Sequence, residues 1–308
     1  MGYLEELKSL NQGKRFCQSY LRFIKIQNTN VDISLLDNPG FNSFFNYTSD
    51  IIKTFRMSEK ERIDFVVRMR SYANDLIIED SYFEWVKNDY AIYFLWMYFF
   101  LNPLGSTTNA VFCPAEYGKL YIDNKAYQHL NYNSPSNNTE RLNAVISHID
   151  SLHLSKNQKC SAIYMAKEAW GKQNSLISKM KFLDIKNQEQ SIWLWEYITN
   201  FINNKPQVIY FESVKPFDSR DKHFLAVGIL LAHSFNKPAV AELAIMSATK
   251  AWNQKKYRDS VKNKKALNTY ISTTAKDKLD KLASANNVKI NEMLEKLIND
   301  EYSLMVMK

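Results

Sequence analysis

A segment near the carboxyl end of the chain, Lys264–Ser272, alternates between apolar and polar positions. Leu267, Thr269 and Ile271 fall on one side of a two-residue period, and polar side chains dominate the other side. A period of two residues is typical of a β-strand with one buried face. The pattern therefore predicts a short strand at this position.

Two helical patterns follow the predicted strand. The first begins after good amino-terminal caps at Ser272–Thr274 and keeps its apolar residues at helical spacing. Asn286 and Asn287 can adopt the left-handed conformation that ends a helix. The second pattern begins near Asn291, a plausible cap, and its apolar face continues to Ile298. The order predicted for the carboxyl end is strand, helix, helix.

The longest apolar run in the chain is Ala91–Leu101, which lies between Asp89 and Asn102. It is eleven residues long, whereas a membrane-spanning helix needs about 20 residues. We therefore predict a buried core helix. The many aromatic residues of this run and its neighbours are expected to pack in the core.

Two segments of the chain are similar to one another. Phe83–Tyr98 and Phe182–Tyr197 align without gaps, and the aligned positions include an identical Lys-Asn and an identical Leu-Trp pair. Upstream of both segments lies a helical pattern that opens with a Ser-containing cap. This similarity predicts a duplicated helical module of about 50 residues.

Composition supports a mainly helical protein. The chain has 308 residues, of which 45% are apolar and 23% charged, with 18 Phe, 18 Tyr and 6 Trp beside only 7 Gly and 7 Pro. Few helix breakers and many large side chains favour packed helices over a turn-rich β-sandwich. Three cysteines cannot form a disulfide framework, and no apolar signal segment follows the first residues. We expect a cytoplasmic protein with no membrane association.

The positive charge of the chain is concentrated in one segment. Of the formal net charge of +8, the stretch Lys250–Lys265 carries +6, because it has seven basic residues and only Asp259 as an acid. A basic cluster beside a balanced body is typical of proteins that contact a phosphate backbone. The candidate phosphate contacts in this stretch are Lys255, Lys256, Arg258, Lys262 and Lys265. A solvated helix face remains the alternative interpretation of the charge run alone.

With this basic segment in front of it, the predicted strand–helix–helix order resembles the ribbon-helix-helix family of DNA-binding domains. In that family two strands from two subunits pair and enter the major groove. The resemblance implies a homodimer on a palindromic duplex. It also implies base contacts from Lys264, Ala266, Asn268 and Tyr270, and phosphate binding by the backbone at Asn291, Glu292 and Met293.

A wider segment, Phe235–Ser272, resembles the MatP family of macrodomain-organising proteins. The shared features are a helix introduced by Asn236 and Pro238, a basic segment, and a ribbon-helix-helix in the same register. The resemblance implies binding of a palindromic chromosomal site by a dimer that organises the nucleoid.

These patterns together predict a mainly α protein in which a duplicated helical-bundle body is followed by a carboxyl-terminal ribbon-helix-helix (β-α-α) domain. The predicted divisions are a helical module over 1–110, a connector with a possible hairpin over 111–140, a second, MatP-like helical module over 141–250, and the basic segment with the ribbon-helix-helix over 251–308.

The common catalytic and metal-binding motifs are missing from the sequence. It has no glycine-rich phosphate loop, no nucleophile elbow and no metal-ligand spacing, so we expect no enzyme activity, no cofactor and no metal. Glu212, Lys215, Asp218, Arg220 and Asp221 form a charged cluster that we interpret as a solvated turn between helices, with an active-site loop as the alternative.

The sequence therefore predicts sequence-specific binding of double-stranded DNA by a nucleoid-associated dimer, which organises or segregates a replicon or represses transcription. The alternative is a protein-interaction or phage-defence component. In that case the helical body binds a protein partner, and the carboxyl-terminal domain serves autoregulation or dimerisation.

Overall fold

The computed structural model describes residues 2–10, 13–27, 31–32, 43–102, 127, 135–152, 154–203, 214–262, 265 and 267–306. These residues form twelve α-helices, with short 3₁₀ helices at Asp80–Phe83 and Asn174–Met180. The prediction of a mainly α protein is confirmed. The α-helices are α1 (Tyr3–Lys8), α2 (Lys14–Gln27), α3 (Phe44–Thr54), α4 (Glu59–Leu76), α5 (Asp89–Leu101), α6 (Asn138–Ser151), α7 (Lys156–Gln173), α8 (Gln188–Asn203), α9 (Ser219–His233), α10 (Pro238–Ser260), α11 (Thr273–Ala285) and α12 (Ile290–Val306).

The prediction of a β-α-α domain at the carboxyl end is wrong. No β-strand occurs in the part of the chain that the structure describes, and residues 265 and 267–271 form no regular structure before α11 begins. Alternation of apolar and polar residues is a local property, whereas a strand exists only when its amides and carbonyls pair with a second strand. The described residues offer no such partner to this segment.

The chain divides into two compact units, Met1–Asn253 and Gln254–Lys308, and α10 is continuous across the division. The first unit contains two hydrophobic cores. The predicted hairpin over 111–127 lies outside the described residues, apart from Tyr127. Tyr127 is buried, and its ring stacks on that of Trp96 with 3.8 Å between the ring centroids.

The first core of the larger unit is formed by α1–α4 and residues close to them. Tyr20 and Ile24 lie on the apolar face of α2, and Phe65, Met69 and Ala73 lie on that of α4. Each set keeps the three- and four-residue spacing that brings side chains to one face of a helix. The two faces pack together and exclude water between α2 and α4.

The second core surrounds α5. Ten of the residues in this helix are buried, which confirms the prediction of a buried core helix over the apolar run. Helix α9 packs along α5 and also contacts α8. The close approach of α9 to α5 depends on Gly228, because a Cβ atom there would lie 2.8 Å from the carbonyl oxygen of Tyr93.

Buried polar groups connect the two cores. Arg15 on α2 donates hydrogen bonds of 2.7 and 3.1 Å to the carboxylate of Asp150 on α6. Lys159 on α7 is fully buried, and its ammonium donates 3.1 Å hydrogen bonds to the carbonyls of Leu76 and Asp150. Burial lowers the pKa of Lys159 to about 8, against the attraction of Asp150. The two cores therefore meet through charged and hydrogen-bonded groups as well as through packing.

One member of the charged cluster before and at the start of α9, Asp221, is buried and so does not belong to a solvated turn. Lys215, Asp218 and Arg220 are exposed as expected for such a turn, and Glu212 lies outside the described residues. Asp218 caps the helix by accepting a 2.7 Å hydrogen bond from the amide of Asp221. The side chain of Asp221 is buried, pairs with Arg141 of α6, and accepts a 2.6 Å hydrogen bond from the hydroxyl of Tyr93. Arg220 extends outward and pairs with Asp89 at 2.7 Å. The cluster thus fixes the beginnings of α5, α6 and α9 relative to one another.

The predicted internal repeat coincides with a repeated order of helices and caps. Helices α4 and α7 each have 18 residues and begin with a capping box, at Ser58 and Ser155 respectively. A 3₁₀ helix follows each of them. The next helices, α5 and α8, both follow an asparagine, Asn88 or Asn187, whose side chain accepts a 2.9 Å hydrogen bond from the amide three residues later.

Candidate nucleic-acid interface

The basic segment begins on the last turns of α10. Lys256 and Arg258 are exposed there, and Lys262 and Lys265 are exposed beyond the end of the helix. Lys255 differs from these four because it pairs with Asp259 at 2.7 Å across one helical turn. The hydrogen bond from Lys255 lowers the pKa of Asp259, so this carboxylate stays ionised and offsets the charge of Lys255. Four of the five lysine and arginine side chains predicted to contact phosphate are thus left without an ion pair in the described residues.

The same helix end presents polar and aromatic side chains that the sequence analysis did not single out. Asn253 and Gln254 are exposed, and Tyr257 is 69% exposed. The sequence signal was their spacing within a helix, which a count of charges does not detect. They lie on the side of α10 away from Trp252, a buried residue whose ring lies 5.0 Å from that of Trp193 on α8.

Two of the predicted base contacts, Asn268 and Tyr270, lie on the described part of the segment between α10 and α11, which is irregular. Asn268 and Tyr270 are exposed, and Tyr270 is as accessible as in an isolated peptide, with a relative exposure of 104%. Lys264 and Ala266 lie outside the described residues. The structure therefore leaves Asn268 and Tyr270 accessible, but it does not hold them on a strand.

Helix α11 begins and ends as the sequence indicates. Ser272 caps α11 by accepting a 3.3 Å hydrogen bond from the amide of Ala275. Asn287 adopts the left-handed conformation, with φ of 54°, and Val288 donates a 3.1 Å hydrogen bond back to the carbonyl of Ala283. This is the Schellman arrangement, and it confirms the predicted end of the helix.

The predicted phosphate site at the start of α12 is not formed as expected. The helix begins at Ile290, so Asn291 lies inside it and does not cap it. The amide of Met293 already donates a 2.9 Å hydrogen bond to the carbonyl of Lys289. The carboxylate of Glu292 accepts a 3.3 Å hydrogen bond from the amide of Lys289, which places negative charge at this helix end. The carboxylate of Glu292 would repel a phosphate at this position. The amide of Met293 would not bind the phosphate, because it already donates to Lys289.

The smaller unit has few buried side chains of its own. Its core consists of Leu279, Ala283 and Met293, where α11 meets α12. The rest of the apolar face of α12 is open along most of the helix. The exposed large apolar side chains of α12 are Ile290, Leu297, Ile298, Tyr302, Leu304, Met305 and Val306. We call this set the α12 stripe.

Charge differs between the elements of the smaller unit. Residues 254–308 carry a net +5, because they contain twelve basic and seven acidic residues. Residues 290–306 carry −3, with Lys296 as the single base among four acids. The positive charge of the unit therefore belongs to the end of α10, the segment after it and α11, whereas α12 is acidic.

No other site of comparable chemistry stands out in the described residues. An apolar crevice between Leu194, Val227 and Ile245 has room for about one water molecule, which is too little for a substrate. No helix in the described ranges combines the length and the hydrophobicity needed to cross a membrane.

Comparison with known proteins identifies no relative. The chain matches no protein-family model, no curated protein and no solved structure. The resemblance to ribbon-helix-helix and MatP proteins therefore rests on the residues quoted above, and it stays an interpretation of the sequence.

Proposed function

We propose that the protein binds double-stranded DNA through the basic end of α10 and the segment that continues to Lys265. The observation that carries this proposal is the exposure of Lys256, Arg258, Lys262 and Lys265 beside an acid, Asp259, that Lys255 already neutralises. The ten positions 256–265 contain five basic residues and a single acid, Asp259, and such a segment attracts a polyanion. Each cation that meets a DNA phosphate releases a condensed counterion, which is the main source of sequence-independent affinity for duplex DNA.

The proposed DNA-binding species is a homodimer. The α12 stripe must pack against another apolar surface. A unit of 55 residues whose described core has three side chains buries too little apolar surface to be stable in isolation. DNA is unsuited to this role, since Glu295, Asp300 and Glu301 accompany the stripe on an acidic helix. A second copy of the same helix provides a matching stripe around a twofold axis. Dimerisation also doubles the number of basic segments that reach one duplex.

In the cell, we propose that such a dimer associates with the nucleoid and either organises or segregates a replicon or represses a promoter. All three activities require retention on duplex DNA in competition with a large excess of other sites. They differ in which sites are occupied, and that depends on base contacts in addition to phosphate contacts.

Removal of charge at two places in the smaller unit tests the DNA-binding proposal. One variant of the full chain carries Lys256→Ala and Lys262→Ala in the proposed interface. The matched control carries Lys278→Ala and Lys281→Ala on α11, two lysines that are also exposed. Affinity for a fluorescent duplex is measured over a series of salt concentrations.

The interface variant should bind more weakly. Its slope of log affinity against log salt concentration should decrease in magnitude by about 0.9 for each phosphate contact removed. The control should keep the slope of the unaltered chain. Equal losses in the two variants would show that net charge alone attracts the DNA, and no loss in either would show that the interface lies elsewhere.

A further inference from the structure

One face of α10 near its end carries side chains suited to contact base edges. Lys250, Asn253, Gln254, Tyr257 and Arg258 have the spacing i, i+3, i+4, i+7 and i+8, which brings them to the same side of an α-helix. All five are exposed. We call them the α10 face. Because they belong to a single helix, their relative positions do not depend on the segment that follows.

The remaining residues of these turns lie on or near the opposite side of α10. Ala248 and Trp252 are buried against the body. Lys255 and Asp259 continue that side for one more turn and pair with each other. Lys256 lies between the two sides. The α10 face is therefore separate from both the packing side and the local ion pair.

The composition of the α10 face differs from that of a surface that binds only phosphates. Asn253 and Gln254 carry no charge, so they add nothing to the release of counterions. The amides of Asn and Gln form bidentate hydrogen bonds with the major-groove edge of adenine, and Arg does so with guanine. An exposed tyrosine such as Tyr257 offers an apolar ring edge to a thymine methyl group together with a hydroxyl for hydrogen bonding.

The dimensions of the helix fit the same role. The major groove of B-DNA is wide enough to admit an α-helix. Asn253 and Arg258 lie about 8 Å apart along the helix axis, which corresponds to roughly two base-pair steps. With the α10 face turned towards the bases, Lys256 lies on the flank of the helix, where the phosphates at the groove edge pass.

We propose that the end of α10 enters the major groove and that Asn253, Gln254 and Arg258 make the sequence-specific base contacts, with Tyr257 packed beside them. This inference rests on the proposed function, duplex DNA binding, and assigns the source of its specificity. It replaces the base contacts predicted at Asn268 and Tyr270, which required a strand. The ligand is double-stranded DNA, and its site contains adenine and guanine roughly two base-pair steps apart.

The test begins with a duplex selected from a random pool by the unaltered full chain. The preference is measured as the ratio of affinities for this duplex and for a scrambled duplex of the same composition. Three variants of the full chain are compared: Asn253→Ala with Gln254→Ala, Arg258→Lys, and Asn299→Ala as an exposed amide control on α12. Alanine favours the helix, so the first variant is expected to keep its fold.

The double amide variant should lower the preference by on the order of ten-fold for each amide lost, with an unchanged salt slope. Arg258→Lys keeps the charge but loses the bidentate geometry, so it should also lower the preference and leave the slope unchanged. Asn299→Ala should change neither quantity.

Different failures separate this inference from the proposed function. Retained preference in both α10 variants, or an unaltered chain that binds the two duplexes equally, would overturn the assignment to α10 while duplex binding stands. Loss of affinity for both duplexes in parallel, with a reduced slope, would show that these side chains contact phosphates only. Absence of any duplex binding by the unaltered chain would overturn the proposed function itself.

Discussion

Arg15 and Asp150 form an ion pair between α2 and α6 that joins the two hydrophobic cores of the larger unit, with 2.7 Å between Nε and Oδ2. The side chain of Asp150 is only 4% exposed, whereas Asp80, the second acid paired with Arg15, is 84% exposed. Solvent screens an exposed pair, and loss of one partner from a buried pair leaves an uncompensated charge.

The two carboxylates should therefore respond differently to the same substitution. Asp150→Asn should lower the free energy of unfolding by about 3 kcal/mol, because Arg15 and the neighbouring Lys159 lose their buried counter-charge. Asp80→Asn is the matched control and should cost less than about 1 kcal/mol. Urea denaturation of both variants measures the difference. Similar losses for the two would mean that the pair with Asp150 does not connect the cores.

The contact between α5 and α9 predicts opposite effects of alanine at two glycines. Gly228→Ala places a methyl group against the backbone of Tyr93, which cannot move aside as a side chain can, and should destabilise the protein by about 1–3 kcal/mol. Gly171→Ala on α7 meets no atom within 4 Å and should stabilise it by about 0.5–1 kcal/mol. Thermal unfolding of the two variants should show shifts of opposite sign, and a stable Gly228→Ala protein would argue against the close approach of α9 to α5.

His223 predicts a component of acid sensitivity. Burial lowers the pKa of His223 to about 4 from the ordinary value of 6.5, and its Nε2 lies 3.1 Å from the hydroxyl of Tyr90. Well above pH 6.5, from about pH 7 upward, the imidazole is largely neutral in both the folded and the unfolded chain and contributes little pH dependence. As the pH falls from 6.5 to 4, the unfolded chain binds a proton that the folded chain does not, so stability is lost, by up to about 3 kcal/mol.

The variant His223→Gln isolates this contribution. It keeps a hydrogen-bonding group near Tyr90 but has no group that titrates in this range. The difference in unfolding free energy between the variant and the unaltered chain should change between pH 6.5 and 4 and stay constant above pH 7. A difference that does not change with pH would show that the imidazole is not held neutral by burial.

The α12 stripe predicts the oligomeric state. Ile298→Asp introduces a charge where a second copy of α12 is proposed to pack, and it should weaken the dimer by more than about ten-fold, because a carboxylate loses its hydration on burial. Ser303→Asp adds the same charge at an exposed position about 140° around the helix from Ile298 and should leave the dimer intact. Sedimentation of the full-length variants over a range of concentrations distinguishes these outcomes. A monomeric unaltered chain, or equal effects of the two substitutions, would exclude the proposed packing.

Local sequence signals were sufficient for much of the helical structure. The apolar run over Ala91–Leu101 and the cap at Ser272 depend on nearby residues, and the structure confirms both. The left-handed Asn287 is also a local property, since a short polar side chain tolerates that conformation. The first residue of α12 was displaced by two positions, from Ile290 to Glu292, because Asn291 was taken for a cap.

Non-local features were not predictable in the same way. The predicted strand failed because its pattern specifies an exposed and a buried face but not the partner that pairs with its backbone. Arg15 and Asp150 are separated by 135 positions, and no spacing pattern in the sequence indicates that they are in contact. Asp221 was assigned to a solvated turn because its neighbours are charged, although Arg141 and Tyr93 surround its carboxylate in the fold.

The salt dependence of duplex binding by the unaltered full chain tests the central claim most directly. Three phosphate contacts from each subunit, at Lys256, Lys262 and Lys265, predict a slope of about −5 for the dimer in a plot of log affinity against log salt concentration. Measurable binding at low salt with a slope of this order would support the basic segment as a DNA interface. A slope near zero, or no binding to duplex DNA at low salt, would contradict it.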